Sequence, residues 1–184
     1  MAVRKKHIRS LVEKILLDRQ IKKPHIPVEA IVKSLAVEIR TDRVDDGLSG
    51  FLVRSTDSGH AVIGVNARHS EGRRRFTIAH ELGHYLLHEG EVVHFDGHRP
   101  GFTVNLRSSD NFSAGDSDIE REANLFAAEL LMPARFLERD PRIKRIDLFD
   151  EKNEAILEDL AKEYKVSVQA LTYRLANLGL IDPL

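Results

Sequence analysis

Two histidines four residues apart, with a glutamate directly after the first, are the residues of this chain best suited to chemistry. They stand in the motif His80-Glu81-Leu82-Gly83-His84. In a helix, His80 and His84 lie one turn apart on the same face, so both imidazoles can bind one metal ion. Glu81 lies about 100° further round, close enough to take a proton from a water molecule beside that metal. The motif therefore predicts a zinc site that activates water for attack on a carbonyl.

The residues around this motif favour a helix that runs from about Glu71 to Glu89. Its apolar side chains fall within about a third of a turn of one another, which gives the helix a face to bury; they are Ile78, Ala79, Leu82 and Leu86. Ser70 is the predicted N-cap, and Gly90 stands where a left-handed C-terminal residue is expected. Because histidines without partners are costly to bury beside such a face, this context favours metal binding over a chance match of the motif.

A hydrolytic zinc site needs a third protein ligand and an open position for water. His88 fails on distance, because it stands eight residues after His80 and so about 12 Å further along a straight helix. A second helical pattern spans Glu120–Pro133, with Glu120 and Asn124 on a face that otherwise carries small and apolar residues. Such a face lets two helices approach closely, and Asn124 can hydrogen-bond a ligand histidine.

Two segments of the chain carry a more specific pattern than the five-residue motif. They read Arg-Arg-Phe-Thr-Ile-Ala-His-Glu-Leu-Gly-His-Tyr-Leu-Leu-His (74–88) and Glu-x-x-Ala-Asn-x-Phe-Ala-Ala-Glu-Leu-Leu-Met-Pro (120–133). Together they resemble the ImmA/IrrE family of zinc metallo-endopeptidases, over roughly residues 10–133. The resemblance implies an α+β, zincin-like fold, bound Zn2+ and Glu81 as the catalytic base. The implied metal ligands are His80, His84 and Glu120, since the third ligand in such sites opens a Glu-x-x-x-Asp/Asn pattern. Glu122 is the second choice, on a different helix face.

The resemblance also implies a substrate. It is a repressor or other regulatory protein, often of helix-turn-helix type, that is cut at one site to derepress genes of a mobile element or a stress response. Two alternatives stay open at this point. The chain could be a transcriptional regulator that binds DNA or a repressor partner without cutting it, or it could be a toxin–antitoxin component.

Composition bounds the class of protein. The chain has 184 residues, a net charge of −1 and no cysteine, so any metal must bind nitrogen and oxygen. Nothing in the charge indicates a nucleic-acid or membrane surface. No apolar run approaches the ~20 residues of a membrane span, and the first residues lack a signal-peptide core, so a cytoplasmic location is expected. The expected domains are a metallopeptidase domain at 1–140 and a helical module at 150–184, a short form without the sensor domain of radiation-response members.

The elements before the motif predict a small sheet covered by helices. Helical patterns span Ile8–Ile21 and Pro27–Leu35, a strand is predicted at Val37–Arg40, and Leu48–Arg54 with His60–Asn66 predicts a β-hairpin. Similarity to zincins suggests that a strand of this sheet borders the cleft above the metal helix, where an extended peptide can add as a further strand. An ordinary hairpin that covers the helix explains the same residues.

Three further residues are candidates for substrate binding. Arg73 stands seven residues before the first histidine of the motif and so returns to the ligand face, although basic residues at a helix start usually form a solvated face. Residues 94–118 are polar and predict a loop with a short strand at Phe102–Arg107, and long irregular segments are often binding loops or lids. His94 and His98 could donate to a developing oxyanion, but plain exposure explains them as well.

The last stretch of the chain predicts a helix-turn-helix-like pair. Helical spacing covers Asn153–Tyr164 and Val168–Asn177, with Ser167 as the N-cap of the second helix. Residues 159–182 carry three basic and three acidic side chains. Because phosphate contacts require a basic surface, this balance favours a packing or partner-docking pair over DNA binding.

Overall fold

The structure is a computed structural model that describes residues 3–45, 47–55, 60–88, 93–97, 118–146 and 152–181. In chain order, the described elements are α1 (Lys5–Asp18), α2 (Val28–Ser34), β1 (Val37–Asp42), β2 (Leu48–Arg54), β3 (Ala61–Asn66), α3 (Glu71–Leu87), β4 (Val93–Gly97), α4 (Asp118–Leu131), α5 (Ala134–Leu137), a 3-10 turn (Ile143–Arg145), α6 (Lys152–Tyr164) and α7 (Val168–Asn177). This mixture confirms the predicted α+β class. Among the described residues, none of the helices combines the length and the apolar character that crossing a bilayer requires.

The four strands form one sheet in the order β1-β3-β2-β4. β2 and β3 pair antiparallel, with Gly50 opposite Val65 and Arg54 opposite Ala61, which confirms the predicted hairpin. β1 runs parallel to β3 on its other side. Leu52 and Ile63 stand opposite one another and are both buried, since the sheet turns one face toward the helices.

The fourth strand corrects one prediction. Val93–Gly97 falls in the stretch that was expected to be loop, yet it pairs antiparallel with β2, with His94 opposite Leu52. The free edge of β2 supplies backbone hydrogen bonds that compensate for a weak local strand signal, an effect that no sequence window can show. The predicted strand Phe102–Arg107 lies outside the described residues.

The start of α3 follows the capping signal of the sequence. Ser70 Oγ accepts a hydrogen bond from the backbone N–H of Arg73, as the predicted N-cap should. The helix ends at Leu87, two residues earlier than predicted, because His88 already has an extended backbone. Gly90, the predicted C-terminal residue, lies outside the described part of the chain.

The covering helices lie close to their predicted places. α1 begins and ends three residues earlier than expected, and Pro27 is the residue before α2 rather than a member of its first turn. Side chains of α1 and α2 pack together with side chains of the sheet, of α3 and of α4 in one apolar core. Its fully buried members include Ile8, Leu16, Ile31, Ile63, Leu82, Phe126 and Leu130.

The C-terminal helices pack onto this same core. Ser167 Oγ accepts a hydrogen bond from the Ala170 N–H at the start of α7, so the predicted N-cap is confirmed. Leu160, Tyr164 and Leu171 are fully buried and belong to the cluster that contains the α3 and α4 side chains. The division into domains at 1–140 and 150–184 stays a prediction, and residues on both sides of it share one core.

Candidate metal centre

α3 carries its polar residues into the interior of the molecule. His80, Glu81 and His84 are 3%, 0% and 2% exposed, which is unusual for ionisable side chains unless they bind one another or a ligand. The helix can bury them because it packs against α4 and against strands β2 and β3. The helical period then turns the two imidazoles toward α4, one turn apart.

The third member of the cluster comes from the first turn of α4. Glu120 Oε2 lies 3.4 Å from His80 Nε2, and Glu120 Oε1 lies 3.3 Å from His84 Nε2. The two Nε2 atoms are 3.0 Å apart. A tetrahedral zinc ion with bonds of about 2.0–2.1 Å places its ligand atoms about 3.3 Å from one another. The donor set and its spacing therefore fit zinc, and the three residues could bind one metal ion.

Asn124 fixes the orientation of the first histidine. His80 Nδ1–H donates a hydrogen bond to Asn124 Oδ1, at 3.1 Å. An amide oxygen only accepts, so the proton lies on Nδ1 and the lone pair of Nε2 points into the cluster. A ligand histidine held in this way by a neighbour is the usual arrangement around protein-bound zinc. Because Asn124 stands one turn after Glu120, a single helix supplies both contacts.

Close packing between α3 and α4 brings the carboxylate within reach of the imidazoles. A Cβ added to Gly83 would lie 3.2 Å from Ala123 Cα and 3.2 Å from the ring of Phe126, so glycine permits the close approach. Ala123 is itself fully buried at this crossing. Gly83 on α3 and Ala123 on α4 thus permit the short distance between the two helices across which the cluster forms.

Glu122, the second choice for the third ligand, lies in a different cluster. Its carboxylate accepts hydrogen bonds from the Arg4 backbone N–H and guanidinium, at 2.8 Å and 2.5 Å, and lies 3.2 Å from His88 Nε2. Hydrogen bonds from Arg4 hold the pKa of the Glu122 carboxyl at about 2. Arg4 also donates to the carbonyl of Leu87 at the end of α3. This cluster ties the N-terminal segment to both metal-site helices, and no local sequence signal joins residues 118 positions apart.

β2 lies close to α3 beside the predicted base, Glu81. A Cβ on Gly50 would overlap the methyl group of Thr77 and would lie 3.7 Å from Glu81 Oε1. Arg54, at the other end of the strand, donates to the His84 carbonyl at 2.6 Å. β2 thus contacts α3 near Glu81 and again near His84. The absence of a side chain at Gly50 allows this close approach.

The remaining predicted site residues have different outcomes. Arg73 is exposed and donates to Ser49 Oγ at 3.0 Å, so it contacts β2. Arg75, two residues further on, does not lie on a solvated face: it is 3% exposed and donates to the Ile26 carbonyl at 2.7 Å. His94 lies on β4, and His98 is outside the described residues; their substrate-binding role stays a prediction.

One residue beside the cluster was not predicted from the sequence. The ring of Phe76 lies 6.3 Å from the ring of His80, with an angle of 28° between their planes. Its signal was available, since an aromatic residue four positions before His80 returns to the ligand face of a helix.

This fold and this cluster define a zincin-like domain of metallopeptidase type. Residues 33–176 match the Peptidase M78 family model, described as the IrrE N-terminal-like domain, and the chain therefore belongs to the ImmA/IrrE family. A solved structure of a Mycobacterium tuberculosis transcriptional regulator is similar in fold, with a TM-score of 0.56 and 15% sequence identity. The match covers 93% of this chain and 46% of that chain, so this chain spans about half the length of the regulator. No curated protein sequence matches the chain.

Proposed function

We propose that the chain is a zinc-dependent, site-specific endopeptidase that acts in the cytoplasm on a regulatory protein. The proposed substrate is a repressor of helix-turn-helix type that controls genes of a mobile element or a stress response. One observation carries the enzymatic part of this proposal: the Nε2 atoms of His80 and His84 lie 3.0 Å apart, and each lies 3.3–3.4 Å from an oxygen of the Glu120 carboxylate, directly beside a buried glutamate. Membership of a peptidase family supports the same reading.

The proposed roles follow from the position of each side chain. His80, His84 and Glu120 would hold the ion. When bound, zinc supplies a Lewis acid that lowers the pKa of the attacking water and polarises the peptide carbonyl. Glu81 accepts the proton that the water loses on attack and later donates it to the leaving amine. Asn124 keeps His80 in the tautomer that offers Nε2 to the ion.

The test separates metal binding from catalysis. Zinc-loaded wild-type protein and the Glu81→Gln variant are mixed with the purified products of the neighbouring open reading frames, and cleavage products are identified by mass spectrometry. We expect Glu81→Gln to keep one zinc ion per chain by elemental analysis and to lose cleavage by about 10²- to 10⁴-fold. Glu154→Gln, on the exposed surface of α6, is the matched control and should cleave as the wild type does.

Three outcomes would contradict the proposal or a part of it. Full cleavage by Glu81→Gln would show that Glu81 is not the catalytic base. If Glu120→Gln binds zinc as tightly as the wild type does, Glu120 is not the third ligand. Specific partner binding together with full biological activity in Glu81→Gln would favour a regulator that acts by binding.

DNA binding by α6 and α7 is not part of this proposal, because the three basic side chains of residues 159–182 lie beside carboxylates. Lys162 Nζ lies 3.5 Å from Glu158, and Lys165 Nζ lies 2.9 Å from Glu71. The third basic side chain of this stretch, at position 174, is buried in an ion pair with α4. Phosphate binding would have to break these ion pairs. Residues 159–182 carry as many acidic as basic side chains, so few other cations are available to bind phosphate.

A further inference from the structure

An open groove of about 610 Å³ lies between the first turns of α3 and the turn that joins α6 to α7. Its lining is mainly apolar, and the apolar members are Gly72, Phe76, Met132, Ala161, Val166 and Ala170. The C-terminal helices therefore form one wall of a groove whose other wall is the metal-site helix. Concave apolar surfaces of this kind suit side chains of a bound peptide.

Contacts between α3 and the α6–α7 turn hold the two walls together. Lys165 Nζ lies 2.9 Å from Glu71 Oε1 across the end of the groove. A Cβ on Gly72 would lie 3.6 Å from the Lys165 carbonyl oxygen, which is ordinary van der Waals contact. The groove is thus formed by packed elements and not by a single loop.

Phe76 connects the groove to the metal cluster. Its ring lines the groove and at the same time faces the ring of His80, at 6.3 Å and 28°. Phe76 is only partly buried, so part of its surface is available to a ligand. A peptide whose carbonyl lies at the cluster would meet this aromatic surface next, one helical turn away.

The groove also contains a cation that can bind an acidic group. Two of its three basic side chains, Lys162 and Lys165, lie beside carboxylates. Arg73 is exposed, donates to Ser49 Oγ, and contacts no carboxylate among the described residues. A guanidinium in this position can donate two hydrogen bonds to a carboxylate.

We propose that this groove is a substrate subsite, which takes an apolar side chain over Phe76 and a carboxylate at Arg73. This inference rests on the proposed peptidase function and specifies its substrate class. Phe76 and Arg73 precede His80 by four and seven residues, about 6 Å and about 10.5 Å along the helix. An extended peptide advances about 3.4 Å per residue, so the apolar residue lies about two positions from the cut bond. Because successive side chains of an extended peptide point to opposite faces, the acidic residue that faces the same helix lies about four positions from the cut bond, toward the same end of the peptide, within reach of the long Arg73 side chain.

The experiment maps cleavage preferences with the full, zinc-loaded chain. A peptide library derived from a bacterial proteome is digested by the wild type, and the cut sites are read by mass spectrometry. We expect apolar residues about two positions, and Asp or Glu about four positions, from the cut bond; the library shows whether this is the N- or the C-terminal side. The best site is then synthesised as a matched pair of peptides with Glu or Lys at the fourth position.

Charge reversal at Arg73 provides the decisive comparison. Arg73→Glu should exchange the preference within the peptide pair, with kcat/KM changing by about tenfold or more in each direction. The same exchange should appear in peptide binding to the zinc-loaded, inactive Glu81→Gln background, measured by fluorescence anisotropy. Lys14→Glu, an exposed charge reversal on α1, is the control and should keep the wild-type preference. Gly72→Leu, which fills the groove, should lose the apolar preference.

The outcomes distinguish this inference from the function on which it rests. If the wild type cleaves but Arg73→Glu keeps the preference for Glu, the subsite is wrong and the peptidase function stands. An effect of Lys14→Glu as large as that of Arg73→Glu would also overturn the subsite. If the zinc-loaded wild type cleaves neither library nor protein substrates, both proposals fail.

Discussion

Replacement of Glu122 by glutamine should lower the stability of the metal-free protein at neutral pH, and this loss should shrink as the pH falls from about 4.5 toward about 2. The Glu122 side chain is 6% exposed, and Arg4 lowers the pKa of its carboxyl from 4.5 to about 2. Each pH unit corresponds to about 1.4 kcal/mol, so the full difference would be about 3 kcal/mol. The Arg4 side chain is 47% exposed, and solvent screening reduces the expected loss to about 2 kcal/mol.

The sign of the pH dependence follows from the lowered pKa. The stabilisation is complete above the unfolded-state pKa, about 4.5, and is lost as the pH falls toward about 2, where the native carboxyl also takes up a proton. Urea unfolding, followed by circular dichroism at pH 7, 4 and 2.5, should show the difference between Glu122→Gln and wild type shrinking with acidity. Glu154→Gln, which is exposed, controls for the loss of one charge. A difference of equal size at pH 7 and pH 2.5 would refute the ion-pair reasoning.

Three further changes test the packing and the cluster. Gly83→Val should push α3 and α4 apart, since even a Cβ would meet the backbone of α4 at 3.2 Å. We expect a lower melting temperature, and weaker zinc binding when affinity is measured by competition with a chelator. Asn124→Leu should weaken zinc binding by about 10- to 100-fold because His80 loses its hydrogen-bond partner. Asn124→Asp keeps an acceptor oxygen, so its zinc affinity should fall less. Equal zinc affinity in both variants would exclude the role of Asn124 in orienting His80. Arg174→Leu should cost about 3 kcal/mol in unfolding experiments, because Glu129, 6% exposed, loses its partner at 2.7 Å and keeps the more exposed Arg9 at 3.7 Å. The double variant with Glu129→Leu should recover much of this loss, and no recovery would contradict the ion-pair explanation.

The predictions made from local pattern succeeded where the pattern was strong. The hairpin of β2 and β3 followed from β-branched alternation around a turn, and the start of α3 followed from Ser70. The strand Val93–Gly97 was missed because its partner is β2, about forty residues earlier in the chain. Basic residues at a helix start usually form a solvated face, but the Arg75 guanidinium is buried and donates to a carbonyl that belongs to another segment. Each failure concerns a partner that lies far away in sequence.

By itself, the sequence determined that α3 is a helix with two imidazoles on one face, since helical period and capping are local properties. It also placed Glu120 and Asn124 one turn apart on a second helix. Only the tertiary structure decided that Glu120 faces the histidines while Glu122 faces Arg4. Periodicity distributes side chains around an axis but says nothing of how two helices are rotated against each other. That rotation depends on close packing at the α3–α4 crossing, and packing is a property of the whole core.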